Sequence, residues 1–215
     1  MAEQTLQRDA QAIFQAAYEN RYTWDADFPG YEADIELTQG DEIYSGHVKI
    51  NADLTVEVTG FDDEKVQESV YNQLRDIVTH RKRNSFEKAH GKNSFAIGET
   101  DDSGAVEILV TGDAMGSNYK VRGQEICQVS RVMGRMAFTI DHQASLDTGS
   151  GYVSSRYDAI FRNPQTQDVM REMEFEDIYE PVGDYYLMTQ QVVREKTADQ
   201  TITTVFKFNN VTLLA

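Results

Sequence analysis

One short stretch of the sequence has enough positive charge to bind an anion. Residues 80–92, HRKRNSFEKAHGK, contain five of the 20 Lys and Arg residues in a 215-residue chain of formal net charge −16. Arginine at this density can bind a carboxylate or a phosphate headgroup. A structural explanation stays open beside this one, because cations at a helix C-terminus gain about 0.3–1 kcal/mol from the helix dipole. We predict that Arg81 and Arg83 contact the acidic headgroup of a ligand.

Patterns for catalysis and metal binding are weak. The histidines are His47, His80, His90 and His142. They are scattered, with no HxxxH or CxxC spacing, so we expect no metal and no cofactor. The single cysteine, Cys127, lies in the strand-like run GQEICQVSRV and is interpreted as a small buried hydrophobic residue. Because no GxSxG motif is present either, we favour a non-enzyme; His142, Asp141 and His80 are the acid or base candidates of the enzyme alternative.

Aromatic residues give a second signal. Trp24, Phe28 and Tyr31 come together after the first predicted helix, and further tyrosines crowd the long strand-like runs. Such residues pack cores, and they also line ligand cavities whose walls are partly apolar and partly polar. Both interpretations stay open. The predicted ligand-binding residues are Trp24, Phe28, Tyr31, Arg81, Arg83, His142, Tyr157 and Tyr185.

Helical spacing predicts two elements that could position these side chains. Apolar residues from Leu6 to Tyr18 fall on one face at a helical period, which predicts an amphipathic helix over 5–21. A second helix follows in FDDEKVQESVYNQLRDIVTHRKR, with Asp62 or Asp63 as its N-cap and basic residues at its end.

Most of the remaining sequence alternates at period two, which predicts strands joined by short turns. The last four of these runs exceed the usual strand length of about five or six residues, and long strands coil. We therefore predict one α+β domain over 1–215. Its core is a strongly curved antiparallel sheet, a half-barrel of about 10–12 strands, packed on two main helices.

Composition narrows the range of partners. The net charge of −16 argues against nucleic acid as a partner, because phosphate would be repelled by most of the surface. No run of eighteen apolar residues could span a membrane, although peripheral contact stays open. Residues 1–20 lack the pattern of a signal peptide, so a cytoplasmic location is expected.

Several segments, in their order along the chain, resemble one family. They are Trp24 followed by FPGYEADIEL, then SGHVKI and LTVEV, a helix ending at His80 and Arg81, and YEPVGDYYLMTQQVV. The chain resembles the uncharacterised family called domain of unknown function 3386, found in cyanobacteria and plastid-bearing eukaryotes. The resemblance implies a cyanobacterial origin and a cytoplasmic or thylakoid-associated location; it implies no activity.

A second, weaker likeness concerns the fold alone. An N-terminal helix, long strands and the closing run TTVFKFNNVTLL look like the half-barrel lipoprotein carriers, which hold acyl chains in their concave face. We predict a non-catalytic protein that holds an apolar or amphipathic small molecule, lipid or pigment-related, between sheet and helices. The alternatives are a structural or assembly protein that docks a protein partner and, third, an enzyme.

Overall fold

Twelve strands and three helices form the described part of the protein. The structure is a computed structural model that describes residues 2–113 and 117–215, with the side chains of residues 2–8 left outside the description. The helices are α1 (Ala2–Glu19), α2 (Glu64–Arg81) and α3 (Phe86–His90). The strands are β1 (Gly30–Gln39), β2 (Glu42–Asn51), β3 (Val56–Thr59), β4 (Ser94–Thr100), β5 (Val106–Thr111), β6 (Ser117–Arg122), β7 (Glu125–Met133), β8 (Met136–Asp147), β9 (Tyr152–Arg162), β10 (Val169–Val182), β11 (Tyr185–Lys196) and β12 (Thr201–Leu213).

The strands form one sheet in the order β3-β2-β1-β12-β11-β10-β9-β8-β7-β6-β5-β4. Pairing is antiparallel from β1 to β3, from β4 to β9, and between β1 and β12. Nearly every strand therefore lies beside its neighbour in sequence, as short turns require, and β12 returns to pair with β1. The predicted antiparallel sheet and its number of strands are confirmed.

The chain divides into two compact units. Unit 1 comprises the residues up to Tyr22, Asn84–Glu174 and Lys196–Gln200. Unit 2 comprises Thr23–Arg83, Phe175–Glu195 and Thr201–Ala215. The single domain over 1–215 stays a prediction, and each unit is described by itself below.

The core of unit 1 forms between α1 and strands β4–β7. Phe14 is fully buried, and its ring lies 4.5 Å from that of Tyr119 and 5.4 Å from that of Phe95, centroid to centroid. Ala10, Ala17 and Tyr18 belong to the same cluster, so the apolar face predicted for the first helix is the face that packs. The side chain of Leu6, which was assigned to that face, lies outside the described residues.

In unit 2, α2 buries Val70, Leu74, Ile77 and Val78. The helix begins where the sequence indicates, because the Asp63 carboxylate accepts hydrogen bonds from the backbone N–H of Lys65 at 2.7 Å and of Val66 at 3.2 Å. Of the two candidate N-caps, Asp63 is therefore the cap.

Helix α3 was not predicted. Phe86–His90 form a short helix with Ser85 as its N-cap. The helix forms because Phe86 is buried in the unit 1 core, 5.9 Å from the Phe14 ring. Five residues are too few to show a helical period, so the sequence pattern could not reveal it.

Replacing Asp63 with Ala should lower the free energy of unfolding by about 1 kcal/mol, because two N–H groups of the first turn of α2 lose their acceptor. Chemical denaturation measures the change. Asp62→Ala is the matched control: Asp62 is exposed beside the same helix end, and its replacement should change the free energy by less than about 0.5 kcal/mol. Equal losses in the two variants would contradict the assignment of the cap.

Candidate functional site

The predicted site residues fall into two groups, one in each unit. His142 and Tyr157 lie in unit 1, on β8 and β9. The remaining predicted residues lie in unit 2 and are Trp24, Phe28, Tyr31, Arg81, Arg83 and Tyr185. A binding role for these eight residues stays a prediction; their local geometry is described in turn.

The unit 2 aromatics pack on one another. Trp24 stacks on Phe28 with ring centroids 4.2 Å apart and meets Tyr31 edge-on at 6.1 Å. The exposed fractions of Trp24, Phe28 and Tyr31 are 3%, 2% and 1%. The indole Nε1 of Trp24 is buried with no hydrogen-bond partner among the described residues, so ring packing holds this side chain in place. Because these rings cover each other, they form a filled core at this point.

Tyr185 connects this cluster to an acidic side chain. Its ring lies 5.0 Å from that of Phe28, and its hydroxyl donates a hydrogen bond to Asp25 Oδ1 at 2.9 Å. Desolvation, and then the bond to the Asp25 carboxylate, raise the pKa of Tyr185 to about 12. Tyr185 therefore stays a protonated donor at neutral pH.

Arg81 has an internal partner. Its Nη2 donates to the hydroxyl of Tyr179 at 2.9 Å, and that hydroxyl donates to Asp177 Oδ2 at 3.3 Å. Burial raises the pKa of Tyr179, although the nearby Arg81 charge opposes the rise. Arg81 thus supplies the cation of a partly buried polar chain.

The polar chain continues to α2. Gln191, 1% exposed, donates to Asp177 Oδ1 at 2.8 Å, and its own Oε1 accepts a hydrogen bond from Gln73. These bonds tie α2 to strands β10 and β11 within unit 2. Arg81 therefore has a structural role in unit 2, which the basic sequence around it does not indicate.

Arg83 and His90 differ from Arg81. Arg83 is exposed, as a contact with an external anion would require. The ring of His90 lies 5.0 Å from that of Phe14 and 4.9 Å from that of Tyr18. Burial, followed by the charges of Arg21 and Arg131, lowers its pKa from 6.5 to about 4. His90, counted from sequence as part of the basic stretch, is neutral at pH 7.

In unit 1, the pairing of β8 with β9 brings His142 opposite Tyr157, with ring centroids 5.9 Å apart. His142 Nδ1 shares a short hydrogen bond with the hydroxyl of Ser154. The register shifts between His142 and Ala144, which breaks the alternation of faces along β8 at that point.

Two further aromatics lie along the same two strands. Phe138 pairs with Phe161 at a ring distance of 6.1 Å, and Ile140 pairs with Ala159. Both phenylalanine side chains are half-buried. Opposite residues of an antiparallel pair share a face, and alternate residues along a strand do too. Phe138 and Phe161 therefore lie on one face with His142 and Tyr157.

Two arginines border this face. Arg131 is opposite Phe138 in the β7–β8 register and donates to Ser117 Oγ at 2.9 Å and Tyr119 Oη at 3.4 Å. The guanidinium carbon of Arg171 lies 4.4 Å from the centre of the Phe161 ring. Since Tyr119 packs against α1, this is the face of the sheet on which α1 lies. We define the β8–β9 face as Phe138, Ile140, His142, Tyr157 and Phe161 with Arg131 and Arg171.

Five of these residues were not predicted as site residues: Phe138, Ile140, Phe161, Arg131 and Arg171. Alternation in RMAFTIDH already puts Phe138, Ile140 and His142 on one face. The partners on β7, β9 and β10 depend on register, which a single sequence does not specify.

Other chemistry is limited in the described residues. No group of three or more His, Cys, Asp or Glu side chains there is placed to hold a metal ion. Cys127 is half-buried, and burial raises the pKa of its thiol. In residues 2–113 and 117–215, no helix is both long and apolar enough to cross a membrane.

A family model gives the chain its place among known proteins. The model described as Protein of unknown function (DUF3386) matches residues 5–214. The chain belongs to this family, and the resemblance seen in the sequence is confirmed. No match is found among curated proteins.

Solved structures show only distant similarity. A DUF1329 family protein from Desulfovibrio piger is 9% identical, with 98% of this chain and 92% of that chain covered and a TM-score of 0.29. The MucA/MucB complex of Pseudomonas aeruginosa gives 12% identity, 96% and 99% coverage and a TM-score of 0.24. MucB in complex with MucA(peri) gives 11% identity, 97% and 99% coverage and a TM-score of 0.23. Similarity at this level carries no conclusion about function.

Arg81 and Arg83 should respond differently to charge reversal. Arg81→Glu should lower the free energy of unfolding by about 2–4 kcal/mol, because Tyr179 loses its donor and a carboxylate is placed near Asp177. Arg83→Glu changes an exposed residue and should cost less than about 0.5 kcal/mol. Chemical denaturation of both variants tests the pair; equal effects would contradict the internal role of Arg81.

His90 should make the protein less stable as the pH falls. The unfolded chain binds a proton near pH 6.5 and the folded chain only near pH 4, so the unfolded state holds more protons between these values. Stability should therefore fall as the pH is lowered through this range, and His90 should contribute no further change below about pH 4. His90→Phe keeps an aromatic ring without the titration, and its unfolding midpoint should fall less between pH 7 and pH 5. An equal fall in both proteins would show that His90 does not titrate in this way.

Proposed function

We propose that this protein is a non-catalytic binding protein for an amphipathic small molecule with an anionic group, such as a lipid with a carboxylate or phosphate. We place the ligand on the β8–β9 face of unit 1. One observation carries the proposal: an aromatic pair that is only half-buried lies on one face of the sheet between two arginines.

The apolar part of the ligand would pack on Phe138, Ile140 and Phe161. Burying exposed apolar surface gains roughly 25 cal/mol per Å², and only surface that the protein leaves uncovered can contribute. Phe138 and Phe161 leave part of their rings uncovered, whereas Trp24, Phe28 and Tyr31 are almost completely buried. The β8–β9 face therefore has more to gain from an apolar ligand than the unit 2 cluster.

The anionic part of the ligand would bind at Arg131 or Arg171. A guanidinium offers five N–H donors in a planar arrangement that matches carboxylate and phosphate oxygens. Contacts with Ser117 and Tyr119 orient Arg131, and the Phe161 ring lies beneath Arg171. Arginines positioned by neighbouring side chains lose less conformational entropy on binding than mobile ones.

Two details of the sequence prediction belong to this proposal: the half-barrel sheet and the ligand held between sheet and helix. Strands β8 to β12 are 12, 11, 14, 12 and 13 residues long, and long strands coil, which supports a half-barrel sheet. Within unit 1, α1 packs on the same face of the sheet as the aromatic pair. That arrangement supports a ligand held between sheet and helix.

Native mass spectrometry with oleate as the probe tests the proposal. We expect an added mass of one oleate that is lost on denaturation. Phe138→Ser should weaken oleate binding by about 10-fold or more, because a large apolar contact is removed. Arg171→Gln should weaken binding of oleate but not of oleyl alcohol, which has the same chain without the charge.

Leu109→Ser is the matched control. Leu109 is also on a strand of unit 1 and is 37% exposed, but it follows the core residue Ile108 and so lies on the opposite face. Its replacement should leave oleate affinity unchanged. The proposal fails if wild-type protein acquires no oleate, or if Phe138→Ser and Leu109→Ser bind it equally.

A further inference from the structure

We infer that one end of the unit 1 sheet docks on the surface of an anionic lipid bilayer. We define the docking end as residues 132–136, at the turn between β7 and β8, and residues 162–170, at the turn between β9 and β10. It carries exposed apolar side chains and excess positive charge in a chain that is otherwise strongly acidic. The inference does not depend on ligand binding at the β8–β9 face.

Exposed apolar residues concentrate at the docking end. Of the ten large hydrophobic residues exposed in the described part of the chain, five lie here. They are Val132 (53% exposed), Met133 (55%), Met136 (37%), Val169 (46%) and Met170 (57%). Exposed apolar patches of this kind mark sites of protein or membrane interaction.

The two turns lie side by side. Ala137, next to the first turn, pairs with Arg162, where β9 ends, and Asn163 donates its backbone N–H to Asp168 O at 3.0 Å to close the second turn. A hollow of about 310 Å³ is lined by Arg135 of the first turn and by Asn163, Pro164 and Gln165 of the second. The apolar side chains of both turns therefore belong to one surface.

The charge at this end has the opposite sign to that of the chain. The docking end contains Arg135 and Arg162 against the single acid Asp168, a net charge of +1 in a chain of −16, and Arg131 and Arg171 each lie one residue beyond its bounds. Arg135 is exposed and borders the hollow. Each basic residue near an anionic leaflet contributes attraction, and acidic groups further away than the Debye length of about 8 Å are largely screened.

The arrangement of the apolar residues favours a bilayer over an acidic protein. Val132 and Met133 are consecutive, so their side chains lie on opposite faces of the β7–β8 hairpin. A partner that lies against one face would leave the other uncovered. A bilayer can take up the whole end, with the apolar side chains among the acyl chains and the arginines at the phosphates.

Vesicle flotation with the full chain tests this inference. We expect binding to vesicles of mixed phosphatidylglycerol and phosphatidylcholine at low salt, weaker binding at high salt, and no binding to pure phosphatidylcholine. Arg135→Glu should lower the partition coefficient about 25-fold, since each unit of charge near an anionic surface changes binding roughly 5-fold. Met133→Ser should lower it about tenfold through the lost apolar contact.

Arg122→Glu and Ile97→Ser are matched controls in the same unit. Both residues are exposed and lie outside the docking end, so vesicle binding should be unchanged. Circular dichroism and the thermal unfolding midpoint establish that every variant is folded.

The inference is overturned if wild-type protein does not float with anionic vesicles, or if Arg135→Glu floats as wild type does. The inference is also overturned if the docking end binds an acidic protein but the protein does not bind the vesicles. Loss of oleate binding in Phe138→Ser with vesicle binding retained supports it and separates the two proposals.

Discussion

The register of β7, β8 and β9 is the constraint on which the unit 1 surface depends. Pairing of Arg131 with Phe138, Phe138 with Phe161, and His142 with Tyr157 sets these side chains in rows across one face. A slip of one residue would move each side chain of a strand to the opposite face. The same register places the two turns of the docking end beside each other. The β8–β9 face and the docking end are thus consequences of one hydrogen-bonded ladder.

The chemistry of the guanidinium group explains why the arginine side chains of this acidic chain have different surroundings. A guanidinium stays charged at any pH the protein meets, so it needs acceptors or an aromatic face wherever it is partly buried. Arg81 uses the hydroxyl of Tyr179, Arg131 uses Ser117 and Tyr119, and Arg171 lies over Phe161. Arg135 stays exposed and has its charge available for an external anion.

Local patterns in the sequence predict the elements of the fold well. Apolar spacing places the first helix at 5–21, against Ala2–Glu19 in the structure, and the acidic pair 62–63 contains the N-cap of the second. Each of these signals lies within a few residues of its effect. Helix α3 escapes this reasoning because a single tertiary contact, the burial of Phe86 against Phe14, holds a helix of one turn.

The same limit applies to charge and to the candidate site. His90 counts as a basic residue until its neighbours are known, since its low pKa comes from burial beside residues distant in sequence. Arg81 and Arg83 look equivalent in HRKR, yet one faces Tyr179 and the other is exposed. Composition predicts aromatic side chains at a binding site. The packing of their rings decides which of these side chains keep exposed surface that a ligand could cover. Sequence alone could name His142 and Tyr157, and alternation puts Phe138 on the face of His142, while the placement of Phe161 and Arg171 beside them required the structure.

Burial separates the two ways in which this protein uses aromatic residues. Trp24 and Phe28 stack at 4.2 Å and have almost no exposed surface, so their hydrophobic free energy is already gained in folding. Phe138 and Phe161 lie 6.1 Å apart and keep part of their surface uncovered. Only the second pair can gain further free energy by burying apolar surface against another molecule. Because an arginine borders each of these two rings, the ligand that we propose joins an apolar chain to an anionic group.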